Sequence, residues 1–149
     1  MSEIKQKTRS PCVGICSTTY GDLVCRGCRR FAHEIVGWNG YTEDQKASIL
    51  RRLKQIKKEV ISQHLHIANH PRFEGLCDEV GFESVGLDEK KYAVLAYLIT
   101  KSERLDFGGL EVTGLHEDSL DVSKLMSGLE SEMYVRAQAH YERNFKIKV

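Results

Sequence analysis

Apolar positions along the chain fall mainly at helical spacings. In "RRFAHEIVGW", Phe31, Ile35 and Trp38 lie four and three apart, which puts them on one face of a short helix. "TEDQ" follows as a capping box, with Thr42 as cap and Gln45 reaching back from three residues on. It opens a long helix expected over 43–67, with Ile49, Leu50, Leu53, Ile56, Val60, Ile61 and Leu65 as its apolar stripe. Asn69-His70-Pro71 is expected to end it, because a residue before proline is pushed out of the helical region. Residues 71–87 read as a long loop with a strand near 82–85. Asp88 then caps a helix in which Tyr92, Leu95, Ala96 and Ile99 share a face. "DFGG" stops that helix, and "LEVTGL" reads as a short strand. Two further helices are expected, "LDVSKLMSGL" and "SEMYVRAQAHYERNF", the second with Met133, Ala137, His140 and Tyr141 in register.

These elements predict a mostly α protein. A small four-cysteine metal knuckle is followed by a long basic helix and a helical C-terminal part with two or three short strands. The division expected along the chain is a mobile tail at 1–10, a metal-binding module at 11–41, a basic amphipathic helix at 42–70 and a mainly helical region at 71–149. Composition agrees with a folded chain, since 41% hydrophobic and 29% charged residues match ordinary globular usage and argue against disorder along the whole length. The longest apolar run, "YAVLAYLI", is far too short to span a bilayer. "MSEIKQKTRSPC" has no apolar core and so is not a secretory signal. A cytoplasmic protein without membrane contact is expected, in a compartment where clustered thiols bind metal more often than they form disulfides.

The candidate chemistry lies in "SPCVGICSTTYGDLVCRGCRR". Cys12, Cys16, Cys25 and Cys28 form C-x3-C-x8-C-x2-C. A C-x2-C turn points two sulfurs at one centre, and a second pair nearby closes a four-sulfur site. Gly14 and Gly27 sit inside the two pairs, where a small residue lets backbone N–H groups approach sulfur. Four clustered thiolates repel one another and stay ionised only around a cation. Zinc and iron–sulfur clusters both accept such a set; spacing alone favours zinc. A catalytic zinc keeps one position open, whereas four cysteines close the site, which favours a structural or electron-transfer role.

The elements P-C-x-G-I-C, C-x-G-C-x-R and E-I-x-x-W, with the lysine-bearing helix after them, resemble the YdhL-like proteins of proteobacteria. That is a small domain family of unknown function, labelled predicted iron–sulfur proteins. The resemblance covers about residues 10–55. It implies Cys12, Cys16, Cys25 and Cys28 as ligands and an iron–sulfur cluster as cofactor, with zinc the alternative. In the family the residue after C-x-G-C-x-R is often threonine; here it is Phe31.

Charge adds a second candidate. Residues 1–58 carry a net +7 and residues 59–149 a net −6, within an overall +1. Arg26, Arg29 and Arg30 flank the cysteines, and Arg51, Arg52, Lys54, Lys57 and Lys58 extend the basic side along the long helix. Zinc knuckles use such neighbours, with aromatics for stacking, to hold RNA or DNA. The rival is that this helix docks on the acidic half, its phosphate-like partner being in cis. His64, His66 and His70 form H-x-H-x3-H, a spacing compatible with a second metal, although helix ends also favour histidine. His33 is expected beside the metal or at the surface, and Cys77 as a small buried residue. No motif of a known catalytic site is present. The expected role is therefore accessory, in electron transfer, sensing or interaction with a protein partner.

Overall fold

The computed structural model describes residues 8–81, 86–114 and 121–145. The strand expected near 82–85 and most of the N-terminal tail lie outside these. The protein is mostly α. In chain order the elements are α1 (Ala32–Gly37), α2 (Glu43–His64), β1 (Leu65–Ile67), α3 (His70–Val80), α4 (Leu87–Thr100), β2 (Leu110–Val112) and α5 (Val122–Phe145), with single 3-10 turns at Ser17–Tyr20, Trp38–Gly40 and Leu105–Gly108. Its contacts divide the chain into two compact units, residues 57–132 and residues 1–56 with 133–149.

In the unit built from both ends of the sequence, α2 starts as expected. The Thr42 hydroxyl accepts the Gln45 N–H at 3.2 Å, and Gln45 Oε1 accepts the Thr42 N–H at 2.8 Å. Thr8 is tied to the same helix start through the Glu43 carboxylate, which accepts its N–H at 3.0 Å. Phe31, Trp38 and Ile49 are buried, as are Val24, Cys25, Cys28 and Ala137. The ring of Phe31 meets Tyr141 and Phe145 edge-on at 5.3 and 5.4 Å.

The rest of the chain differs from the sequence expectation in several places. α2 stops at His64, short of the expected end at residue 67. Leu65–Ile67 leaves the helix to pair antiparallel with Leu110–Val112, Leu65 opposite Val112 and Ile67 opposite Leu110. Strand pairing with a segment distant in sequence is invisible to helical periodicity. Asn69-His70-Pro71 then begins a helix where a loop was expected. The Asn69 side chain accepts the Arg72 N–H at 3.1 Å, and Pro71 lies in the first turn, where no N–H is needed. Finally, the two helices expected beyond 120 are one, α5, which runs through Gly128 without a break. In α4 the cap is Gly86 in place of Asp88, and the buried face is Lys91, Val94, Leu95 and Leu98, so the expected stripe is rotated toward Leu98.

The core of the 57–132 unit gathers Val60, Ile61, Leu65, Phe73, Leu76, Val94, Leu95, Leu98, Leu110, Leu125 and Leu129, all buried, with Cys77 buried among them as expected. The strand pair reaches α3 through Gly109, whose φ is +70°. Its carbonyl accepts the Ala68 and Asn69 N–H groups at 2.8 and 3.1 Å. A Cβ at Gly109 would lie 2.5 Å from the Asn69 carbonyl oxygen and 2.9 Å from the Phe73 nitrogen. Both are backbone atoms that cannot swing aside. Gly109→Ala should therefore lower unfolding free energy by about 2–4 kcal/mol, combining left-handed strain with overpacking. Chemical denaturation checks the size, and hydrogen exchange should place the loss in residues 57–132.

Candidate metal centre

The Cys25–Arg30 turn is closed by its own backbone. The Cys25 N–H donates to the Arg30 carbonyl at 2.9 Å, and the Arg29 N–H donates to the Cys25 carbonyl at 2.8 Å. Closing so short a turn puts Arg29 in the left-handed region, φ +65°. Val24 and Phe31, on either side, form an antiparallel bridge. Phe31 then caps α1, and Glu34, three residues on, accepts the Phe31 N–H at 2.8 Å. The buried Glu34 is held in turn by Arg52 of α2 through two bonds of 2.8 and 2.5 Å. The Arg52 guanidinium lies over the Phe31 ring at 4.1 Å. Phe31 thus serves as an aromatic hub.

Gly27 sets this turn against the first cysteine loop. A Cβ there would lie 2.6 Å from the Ile15 carbonyl oxygen and 2.8 Å from Val13 Cγ2. Only a residue without a side chain lets the two loops come this close. The Cys25 thiol donates to the same Ile15 carbonyl at 3.4 Å. A third tie is the Arg26 N–H, which donates to the Ser17 hydroxyl at 2.8 Å.

Each sulfur has its own surroundings. Cys12 is exposed and its sulfur accepts the Gly14 N–H at 3.4 Å, the contact that a glycine inside this pair is expected to allow. Cys16 shares a hydrogen bond of 2.9 Å with the Thr18 hydroxyl, which is the main cause holding its thiol below the ordinary range. Cys25 is buried, which works to raise its thiol. Hydrogen bonds from the backbone N–H groups of Cys28, Ser17 and Gly27 and from the Cys28 thiol outweigh that and bring it down to about 7. Burial pushes the Cys28 thiol up, against the opposing pull of Arg30, whose Nε donates to Cys28 Sγ at 3.3 Å. Burial also pushes Cys77 up.

The structure thus brings Cys25 and Cys28 together and lays their turn on the Cys12–Cys16 loop. Among the described residues no three Cys, His, Asp or Glu side chains converge as a metal-binding group. The donor set nevertheless fits a thiophilic metal, with four thiols on two abutting loops and backbone N–H groups aimed at sulfur.

The structure distributes the other candidates over separate environments. Of the eight basic residues, Arg30 is buried against Cys28 and Arg52 is taken by Glu34. Lys57 pairs with Glu89 at 3.0 Å and lies over the Tyr92 ring at 3.7 Å. Arg26 pairs with Asp22 at 3.4 Å and lies over Tyr134 at 4.6 Å. Arg29 is half-buried, whereas Arg51, Lys54 and Lys58 are exposed along one side of α2. The histidine triplet is dispersed over different tasks. His64 sits between the Thr113 carbonyl at 2.9 Å and Glu132 at 2.6 Å, His66 bonds the Thr113 hydroxyl at 2.9 Å, and His70 is exposed at the start of α3. His33 meets Phe31 and Phe145 as a ring among rings. A groove of about 390 Å³ lies between the Gly21–Val24 segment and Tyr134, Gln138, Tyr141 and Glu142, and it contains none of the cysteines. The contact between Arg30 and Cys28 is one that sequence reasoning missed. Its only signal in the sequence is an arginine two residues after Cys28, the last of the four clustered cysteines.

Comparison with known proteins gives one similarity. A family described as a protein of unknown function (DUF1289) matches residues 10–57, about a third of the chain. No curated protein and no solved structure matches. The matched segment contains the four clustered cysteines, Arg30 and the first two-thirds of α2. No helix among the described residues is long and apolar enough to cross a membrane.

In metal-free protein at neutral pH, iodoacetamide should modify Cys16 well before Cys28 and Cys77. Cys16 combines access with a lowered thiol, while the other two are buried and raised. Gly27→Ala should wedge the loops apart and bring Cys25 forward in that order. Peptide mass spectrometry of a labelling time course reads both.

Proposed function

We propose that this is a cytoplasmic metal-binding accessory protein whose centre is held by Cys12, Cys16, Cys25 and Cys28, with a role in electron transfer, sensing or interaction with a partner protein. The observation that carries the reading is the seating of Gly27 on Val13 and Ile15. It sets the Cys25–Arg30 turn against the Cys12–Cys16 loop, although eight residues separate the two pairs. The proposed cofactor is an iron–sulfur cluster, for which the support is the resemblance to the YdhL-like proteins. Zinc is the alternative.

Anaerobic purification decides the metal. Brown protein with broad visible absorbance and bound iron and sulfide supports the cluster; colourless protein with bound zinc supports zinc. Chains with neither metal after reconstitution would remove the reading. Single Cys→Ser changes at positions 12, 16, 25 and 28 should each cut bound metal at least several-fold, while Cys77→Ser should leave it unchanged. Full occupancy after losing any one of the four excludes that residue from the set.

One observation favours a second reading, in which the module binds RNA or DNA through its basic side. Arg51, Lys54 and Lys58 lie three and four apart on α2 and are exposed, with no ion pair among the described residues. Tyr20, beside the cysteines, is 91% exposed and free to stack on a base. Each phosphate neutralised on a single strand adds about −0.7 to the slope of log affinity against log salt. Changing the three residues to glutamine should flatten that slope by about 2 and leave metal content intact. A salt titration of RNA binding by gel shift measures it. Absence of any shift at low salt rules the reading out.

A further inference from the structure

Four basic side chains are buried among the described residues: Arg30, Lys46, His64 and Lys91. Three of them face a carboxylate. Lys46 lies 3.4 Å from Glu43, His64 lies 2.6 Å from Glu132, and Lys91 lies 3.7 Å from Asp88. Arg30 is only 3% exposed and has no carboxylate partner among the described residues. Its contacts are sulfur and an indole face. Nε donates to Cys28 Sγ at 3.3 Å, and the guanidinium lies over the Trp38 ring at 4.9 Å. A guanidinium stays charged at every physiological pH, so it cannot escape burial by losing a proton. A charge taken out of water without an anion is costly. Among the described residues, the group that Arg30 touches in place of a carboxylate is a sulfur of the cysteine cluster.

We propose that Arg30 is the built-in counter-ion of the four-cysteine centre: it positions Cys28 through the Nε–H···S bond and offsets the negative charge that four thiolates bring to the metal. This rests on the four-cysteine reading above. A divalent ion in a four-thiolate site leaves two negative charges uncompensated, and a guanidinium at hydrogen-bond distance from one sulfur reduces that excess by one. The backbone supports the same geometry. Because the Arg30 carbonyl accepts the Cys25 N–H, the residue that neutralises the site also closes the turn that carries Cys25 and Cys28. Trp38 holds the guanidinium plane by its π face, an arrangement lysine would not reproduce with the same donor direction. Arg30 is accordingly a positioning residue for Cys28 and not a phosphate-binding group.

The test uses the full chain with zinc and cobalt as probes. Zinc affinity of the parent, Arg30→Gln and Arg30→Lys is measured by competition with a chelator, and the sulfur-to-cobalt charge-transfer band is recorded for each. Loss of a hydrogen-bonded partner to a metal ligand weakens metal binding by about 10- to 100-fold, and that range is expected for Arg30→Gln. Its charge-transfer band should move to lower energy, because a sulfur without its N–H donor gives up an electron more easily. A merely structural role would not move that band. Arg30→Lys keeps the charge and loses the Nε–H direction, so it should fall between the two in affinity. Helical circular dichroism shows which variants fold. If Arg30→Gln does not, Arg30→Lys decides, and parent-like affinity and spectrum in that variant overturn the proposal. Parent-like values for a folded Arg30→Gln overturn it equally and leave the four-cysteine centre standing. A parent chain that takes up neither ion overturns the centre itself.

Discussion

Gly27 and the Ile15 carbonyl meet so closely that one methyl group would not fit between them. The rest of the unit follows from that contact in a series of dependent steps. With Gly27 seated, the turn from Cys25 to Arg30 is held against the Cys12–Cys16 loop, and the chain leaves the turn through a left-handed Arg29. It then passes the Val24–Phe31 bridge and enters α1 at Phe31, where Glu34 takes up the first N–H. Arg52 fixes Glu34 from α2 and covers the Phe31 ring. Backbone fit, a helix cap and a two-pronged ion pair thus hold the same few residues. In water an exposed pair of this kind contributes little. Here the carboxylate is buried and the geometry is bidentate, so breaking one partner would strand a charge.

Local signals in the sequence were legible where the physics is local. The capping box at Thr42 and Gln45, the stripe of Ile49, Ile56, Val60 and Ile61, and the burial of Phe31 and Trp38 are all present. Each depends on residues within a turn or two of one another. What escaped were outcomes set by distant partners. Nothing in Leu65-His66-Ile67 says that it will leave α2; Leu110–Val112 decides that. Asn69-His70-Pro71 carries two readings, a stop for one helix and a cap with an early proline for the next, and the structure uses it for the next. The two helices expected beyond 120 are continuous through Gly128, since a single glycine costs only about 1 kcal/mol in a helix. The buried Leu125, Leu129 and Met133 along one side of α5 outweigh it.

The candidate site divides in the same manner. The cysteine spacing and the glycines inside each pair were readable, since both act over a few residues. The basic residues were readable as charge but not as individual roles. Spacing could not separate Arg30, turned inward onto sulfur and tryptophan, from Arg51, turned outward two helical elements later. Among the described residues, a contact of the kind expected for docking of basic on acidic groups is the one where Lys57 meets Glu89. The rest of the charge asymmetry is distributed between internal pairs and the exposed side of α2.

The ring of Phe31 closes on Tyr141 and Phe145, 110 and 114 positions further along the chain. The segment matched by the family, residues 10–57, therefore does not contain its own aromatic cover in this protein. Translation delivers the two parts at different times. At the usual pace of synthesis, on the order of ten seconds pass between the emergence of Phe31 and that of Tyr141. Throughout that interval the cysteines are already available while the side of the unit formed by α5 has yet to exist. The turn that carries Cys25 and Cys28 is thus made well before the rings of α5 that cover its neighbour Phe31.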